Sequence, residues 1–207
     1  MAVPTFTAKD FKVFTVPGLE PRMTALIEQV RPKLHRLGDE LAPWLTTICG
    51  EPMYPHVARH ARRTINPPDD SWVAWSSSKK GYKALPHFQV GLWSTHLFIQ
   101  FAIIYECENK TVFAERVLER LPEVRRLVPD TFFWSGDHMD PANTPDRELS
   151  DEQLAGLLER LRSVKQAELL CGLELKRGDA RLSSARALSG TIESTFEALL
   201  PLYRLAK

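Results

Sequence analysis

Pro86-His87-Phe88-Gln89-Val90-Gly91-Leu92-Trp93, then Ser94-Thr95, then His96-Leu97-Phe98-Ile99-Gln100-Phe101-Ala102-Ile103-Ile104-Tyr105-Glu106, is the stretch that decides the fold class. In an extended chain successive side chains point to opposite faces. Phe88, Val90 and Leu92 therefore share one face of the first run, and His87, Gln89, Gly91 and Trp93 the other. Ser94-Thr95 is short enough for a tight reversal, so the two runs pair antiparallel. The second run sets Leu97, Ile99, Phe101, Ile103 and Tyr105 on one face and His96, Phe98, Gln100, Ala102 and Ile104 on the other, beside the polar row. The hairpin thus has a core face and a face carrying two imidazoles, two amides and an indole around a glycine that permits close approach.

Upstream, Trp72-Val73-Ala74-Trp75-Ser76 reads as another strand, entered from the turn residues Asn66-Pro67-Pro68-Asp69-Asp70 and left through Lys79-Lys80-Gly81-Tyr82-Lys83. The window from His56 to Glu106 holds four of the six histidines and three of the five tryptophans. Its basic segment, His56-Val57-Ala58-Arg59-His60-Ala61-Arg62-Arg63, has no purely apolar face as a strand. As a helix it would place His56 and His60 at i, i+4, the spacing of a two-histidine metal site. A zinc site also needs a third ligand, and usually a carboxylate base between such histidines, where this sequence has Val, Ala and Arg. A satisfied or solvent-facing histidine pair, or anion contact by the Arg/His cluster, fits these residues better than metal binding. The Ser-Ser-Ser-Lys-Lys-Gly run at 76–81 lacks the glycines and following helix of a phosphate loop.

Working outward, Asp10 to Val16 alternates polar and apolar and predicts a half-buried strand closed by Pro17-Gly18. A long amphipathic helix is expected from Leu19 to Leu45, kinked or split at Pro32 and broken again near Gly38 or Pro43. Beyond Glu106, Thr111 is placed to cap a helix through Phe113, Val117 and Leu121. Thr131 to Ser135 reads as a short aromatic strand. The polar loop from Gly136 to Pro145 contains Asp137, His138 and Asp140, a set that occurs commonly by chance and suits turn chemistry and a cap better than metal or acid-base work. Ser150-Asp151-Glu152-Gln153 is a capping box for a helix through Leu161. A strand from Glu168 to Lys176 turns its Leu169, Cys171, Leu173 and Leu175 inward, and a helix from about Ser189 carries Ile192, Phe196, Leu199 and Tyr203. Consecutive strands with short connections make this an α+β protein: one domain over 1–207, a curved, mostly antiparallel sheet of about five to seven strands with helices mainly on one face. Uniform βαβ alternation is absent, which excludes a doubly wound nucleotide-binding sheet.

Composition narrows the function classes. The 207 residues are 43% hydrophobic and 26% charged with a net charge of +1, so any attraction for an anion must be local rather than global. Cys49, Cys107 and Cys171 are few and far apart, with no C-x-x-C pair, which fits reduced, buried thiols. Met1 to Phe6 has no basic stretch leading into an apolar run, and Leu97 to Tyr105 is too short to cross a bilayer. A cytoplasmic protein with no membrane contact, no metal and no cofactor is the simplest expectation.

Several runs carry a resemblance. Lys9-Asp10-Phe11 with Val13-Phe14, Val30-Arg31-Pro32-Lys33-Leu34, His56 to Arg63, Asn66 to Asp70, Pro86 to Trp93, and Leu199-Leu200-Pro201-Leu202-Tyr203 resemble the YktB-like family of uncharacterised Bacillus-type proteins, over nearly the whole chain. The resemblance implies a single α+β domain similar to the TATA-binding-protein-like arrangement, one curved antiparallel sheet gripping long helices. It carries over no catalytic residue. From the residues themselves, the expected function is a binding module for a small anionic ligand, nucleotide-like or a short single-stranded nucleic acid. The ligand would meet His56, Arg59, His60, Arg62, Arg63, Lys79, Lys80, His87, Gln89, Trp93 and His96. Two alternatives are a hydrolase or transferase with His87 or His96 as general base, and a scaffold acting through a protein partner.

Overall fold

The hairpin forms as its alternation requires. In a computed structural model, which describes residues 3–207, β3 (His87–Trp93) and β4 (His96–Ile103) flank the Ser94-Thr95 reversal and pair antiparallel, with Phe88 opposite Phe101, Gln89 opposite Gln100 and Val90 opposite Ile99. β1 (Tyr54–Val57) and β2 (Asp70–Ser76) extend the sheet on one side. On the other side β7 (Leu169–Lys176) pairs with β4, followed by β5 (Phe133–Ser135) and β6 (Thr144–Pro145). The result is an open seven-stranded sheet in the order β1-β2-β3-β4-β7-β5-β6, antiparallel at every pairing.

Helices cover one face. α3 (Arg31–Cys49) lies on β1 and β2, α7 (Ala185–Leu205) on β4 and β7, and α6 (Asp151–Ser163) reaches β7. Phe88 packs on Phe196 and Tyr203 of α7, with ring centroids 4.8 and 5.2 Å apart. Trp75 meets Phe196 edge-on and donates its indole N–H to the Gly38 carbonyl at 3.0 Å. Gly38, which reads as a helix breaker, lies instead where α3 touches the sheet: a Cβ there would stand 2.9 Å from the Pro55 Cβ. Pro43 likewise sits inside α3 without ending it. α4 (Lys110–Glu119) and α5 (Leu121–Leu127) complete the helical side. The N-cap of α4 is Asn109 rather than Thr111.

The segment 10–16 is not a strand. It forms α1 (Ala8–Lys12) and a 3-10 turn at Val13–Thr15. Asp10 accepts from the Thr7 backbone N–H at 2.6 Å and pairs with Lys33 at 2.8 Å, which closes a helical capping box. Phe11 and Phe14, three residues apart, are buried together, a helical spacing that outweighs the alternation. The long helical run is irregular near Pro32 rather than broken: α2 (Leu19–Ala25) passes into a π turn at Leu26–Val30, which leads directly into α3 with Pro32 at its second position. β4 stops at Ile103, so Tyr105 sits in a turn, 36% exposed, and not on the core face. The Ser150 capping box holds, with mutual Ser150–Gln153 bonds of 2.8 and 3.2 Å.

Candidate functional site

The second face of the sheet is covered by loops rather than helices, and its polar groups are buried beneath them. Down its centre runs a directed chain of hydrogen bonds. Gln100 Nε2 donates to Gln89 Oε1 at 2.8 Å, Gln89 Nε2 donates to His87 Nε2 at 3.0 Å, and His87 Nδ1 donates to the Leu85 carbonyl at 2.7 Å. This chain holds His87 as a neutral imidazole with both nitrogens used, and burial pushes its pKa down to about 4. Gly91 lies in the same face, and the group that approaches it is not a ligand: a Cβ there would stand 2.3 Å from the Phe98 ring and 2.7 Å from the Trp72 Cβ.

Over this floor folds the basic segment. After β1 the chain leaves the sheet, held by Ala58 N–H donating to the Trp72 carbonyl at 2.9 Å, and turns through His60, the one non-glycine residue with positive φ (52°) among those described. That conformation is costly for a residue with a Cβ. The His60 ring is pinned by a 3.1 Å contact from Nε2 to Ser71 Oγ and by the edge of Trp72 at 5.6 Å. Its pKa is pushed down to about 4, first by burial and then by the charges of Arg31 and Arg63. Among the described residues none of Arg59, Arg62 and Arg63 forms an ion pair, whereas Lys83 is engaged with Glu106 at 3.1 Å. The segment walls a cleft of about 440 Å³ lined by Arg59, His60, Arg62, Trp72, Tyr82, Lys83, Gln89 and His138, among others. The Trp72 indole N–H donates to the Tyr82 hydroxyl at 3.0 Å, which fixes two aromatic rings at its edge.

A smaller, oppositely charged cavity of about 30 Å³ adjoins it, lined by Asp70, Trp93, His96, Asp137, His138, Asp140 and Asn143 among others. Burial raises the Asp70 carboxyl to about 7, with the charges of His138 and Arg63 acting against that rise. His138 Nδ1 meets Glu168 Oε2 at 2.5 Å, and the same oxygen accepts from the His138 backbone N–H at 3.2 Å. The hydrogen bond to Glu168 raises the pKa of His138. His96 bonds Thr95 Oγ1 through Nδ1 at 2.8 Å, and its Nε2, which makes no hydrogen bond, stands 3.5 Å from Glu174, within ion-pair distance. Burial lowers its pKa. Asp137, His138 and Glu168 each present a ligand-type atom, all within 4.8 Å of one another.

The residues singled out in the sequence therefore divide. Arg59, His60, Arg62 and Gln89 line the larger cleft, with Arg63 close enough to act on His60 and Asp70. Trp93 and His96 line the smaller cavity, where Gln89 also reaches. His56 and Lys80 lie along a shallower recess beside Tyr82, with His56 Nε2 2.8 Å from the Ser78 carbonyl, and Lys79 sits over the Tyr54 ring at 5.2 Å. His87 is fully buried under Tyr82 and lines none of these clefts, whereas His96 lines the smaller cavity with its Nε2 3.5 Å from Glu174. Sequence reading passed over Asp70, Trp72, Tyr82 and Glu168. Alternation through β2 carries a signal for two of them: Asp70 and Trp72 fall on the face of Ala74, which is opposite Gln89.

The family model described as "Domain of unknown function (DUF1054)" matches residues 6–203. A UPF0637 protein of Bacillus licheniformis is 48% identical over 202 residues, 98% of this chain and 96% of that protein. Another from Lysinibacillus sphaericus is 49% identical over 200 residues, covering 97% of this chain and 94% of its own length. A conserved hypothetical protein from Pyrococcus furiosus with a solved structure aligns at 14% identity and a TM-score of 0.46, covering 88% of this chain and 96% of that one. No helix among the described residues is long and apolar enough to cross a membrane. With a family model spanning nearly all of its length and relatives of such identity, the chain belongs to the DUF1054 (UPF0637, YktB-like) family, for which no function is assigned.

Proposed function

We propose that this protein binds a small anionic ligand bearing a flat ring, with the anion on Arg59 and Arg62 and the ring against Trp72 and Tyr82. The observation that carries this reading is the His60 turn. A strained backbone sets Arg59 and Arg62, neither of them in an ion pair, along a cleft at whose edge stand Trp72 and Tyr82. Guanidinium groups left unpaired beside a concave surface favour phosphate or carboxylate, which they meet with two parallel hydrogen bonds. Stacking on an indole or phenol adds about 1–3 kcal/mol per base. The net charge of +1 supports a mononucleotide or similarly small molecule over a long polymer.

Thermal shift against mononucleotides, sugar phosphates and inorganic phosphate tests the reading. A ligand at about a hundred times its dissociation constant adds roughly 2.7 kcal/mol, enough to raise the melting temperature by a few degrees. The expected result is a shift with a mononucleotide that shrinks with salt and disappears in Arg59→Ala and Arg62→Ala. No shift across the set, with both variants folded, overturns the reading and favours a scaffold that meets a protein partner.

A further inference from the structure

We propose that Asp137, His138 and Glu168 form a binding site for a divalent transition-metal ion, at the edge of the small acidic cavity. The inference is independent of the anionic ligand. Its first ground is geometry: the three side chains, from the β5–β6 loop and from the residue before β7, bring one imidazole nitrogen and two carboxylate oxygens within 4.8 Å of one another. Three protein ligands with a position left for water or substrate is the pattern of a catalytic rather than a purely structural zinc site.

The second ground comes from the cavity itself. Asp70 is 6% exposed, faces the cavity, and no other described residue donates a hydrogen bond to its carboxylate. His96, 5% exposed, lines the same cavity, and its Nε2, 3.5 Å from Glu174, has no hydrogen-bond partner. Buried carboxylates and imidazoles are ordinarily paired. Here Asp70, Asp137 and Asp140 line one small space with no lysine or arginine among its walls. A volume of about 30 Å³ suits a single ion or water, and a cation there would add to the charges of His138 and Arg63 that already face Asp70. The mixed nitrogen and oxygen donors favour zinc or manganese over magnesium or calcium, which select all-oxygen shells.

The test is isothermal titration of the full chain, stripped with chelator, against Zn²⁺, Mn²⁺ and Mg²⁺ separately. One equivalent of Zn²⁺ or Mn²⁺ should bind per chain, more tightly than Mg²⁺. Affinity should fall at least about tenfold in Asp137→Asn and in Glu168→Gln, since even supporting groups around a metal are worth 10–100-fold. Asp137 is exposed, so its variant keeps the fold even where removal of the buried Glu168 charge does not. His35→Gln, on an exposed helical position, should leave binding unchanged. Absence of a one-to-one transition, or unaltered affinity in Asp137→Asn, overturns the proposal.

Discussion

Phe88 and Gln89 are neighbours in β3 and are buried on opposite sides of the same sheet, 0% and 7% exposed. Phe88 is held by rings, with Phe101 on β4 and with Phe196 and Tyr203 on α7. Gln89 is held by two directed hydrogen bonds beneath loops. Both sides exclude water, but by different means. The helix-covered side gains from burial in proportion to apolar area and accepts any well-shaped neighbour. The loop-covered side gains little net energy per hydrogen bond and is held to one arrangement by the cost of leaving any donor or acceptor unmatched. The clefts, the unpaired arginines and the buried Asp70 all lie on that second side. Stability and candidate chemistry are thus divided between the faces.

The largest expected effect breaks the first face. Phe88→Ala removes a fully buried ring from an aromatic cluster and should cost about 3–5 kcal/mol, by analogy with large-to-small core substitutions. Denaturant unfolding measures it. A cost below that of any single change on the polar face would erase the division of roles.

Proton linkage comes next and isolates the second face. His87 is buried neutral, with a pKa of about 4 against an ordinary 6.5, and the groups acting on it are Glu168, His138 and His56. In the window between these values the unfolded chain binds the proton and the folded chain does not. Stability from this site is therefore whole above pH 6.5 and is lost as pH falls toward 4, by up to roughly 3 kcal/mol. His60, also lowered to about 4, adds a slope of the same sign. The expected outcome is a flatter stability profile between pH 7 and pH 4.5 in His87→Gln than in the wild-type chain. Equal slopes would mean that His87 titrates in the fold as it does in the unfolded chain.

The two faces were not equally legible in the sequence. Period-two alternation in 86–106 and the two-residue reversal specified the hairpin, its pairing and the side on which Phe88, Val90 and Leu92 lie, because these are local properties of an extended chain. The same alternation misled at 10–16, where a tertiary ion pair from Asp10 to Lys33 and the Phe11/Phe14 spacing favour a helix. The arginines at 59 and 62 stood out as unpaired charge and do line a cleft. Asp70, His138 and Glu168 did not stand out as a group. They converge from β2, from the β5–β6 loop and from the start of β7, and a site assembled by loops crossing a sheet leaves no spacing in the chain.

The smallest effect sharpens the comparison most. Gln100→Leu leaves one acceptor, Gln89 Oε1, buried without a donor, whereas Gln89→Leu strands two groups at once, Gln100 Nε2 and His87 Nε2. Each unmatched buried group costs about 1–3 kcal/mol, so Gln100→Leu should destabilise by about 1–2 kcal/mol and Gln89→Leu by more. In the double variant only His87 Nε2 remains unmatched, so its cost should fall below the sum of the singles by a coupling of about 1 kcal/mol or more. Additive costs in that cycle would show the amides acting as independent filler. Sub-additive costs would show that the face is specified as a chain, fixed at one end by the Leu85 carbonyl. The tautomer of His87, and with it the floor of the cleft beneath Trp72 and Tyr82, would then be set by a glutamine two strand positions away from it.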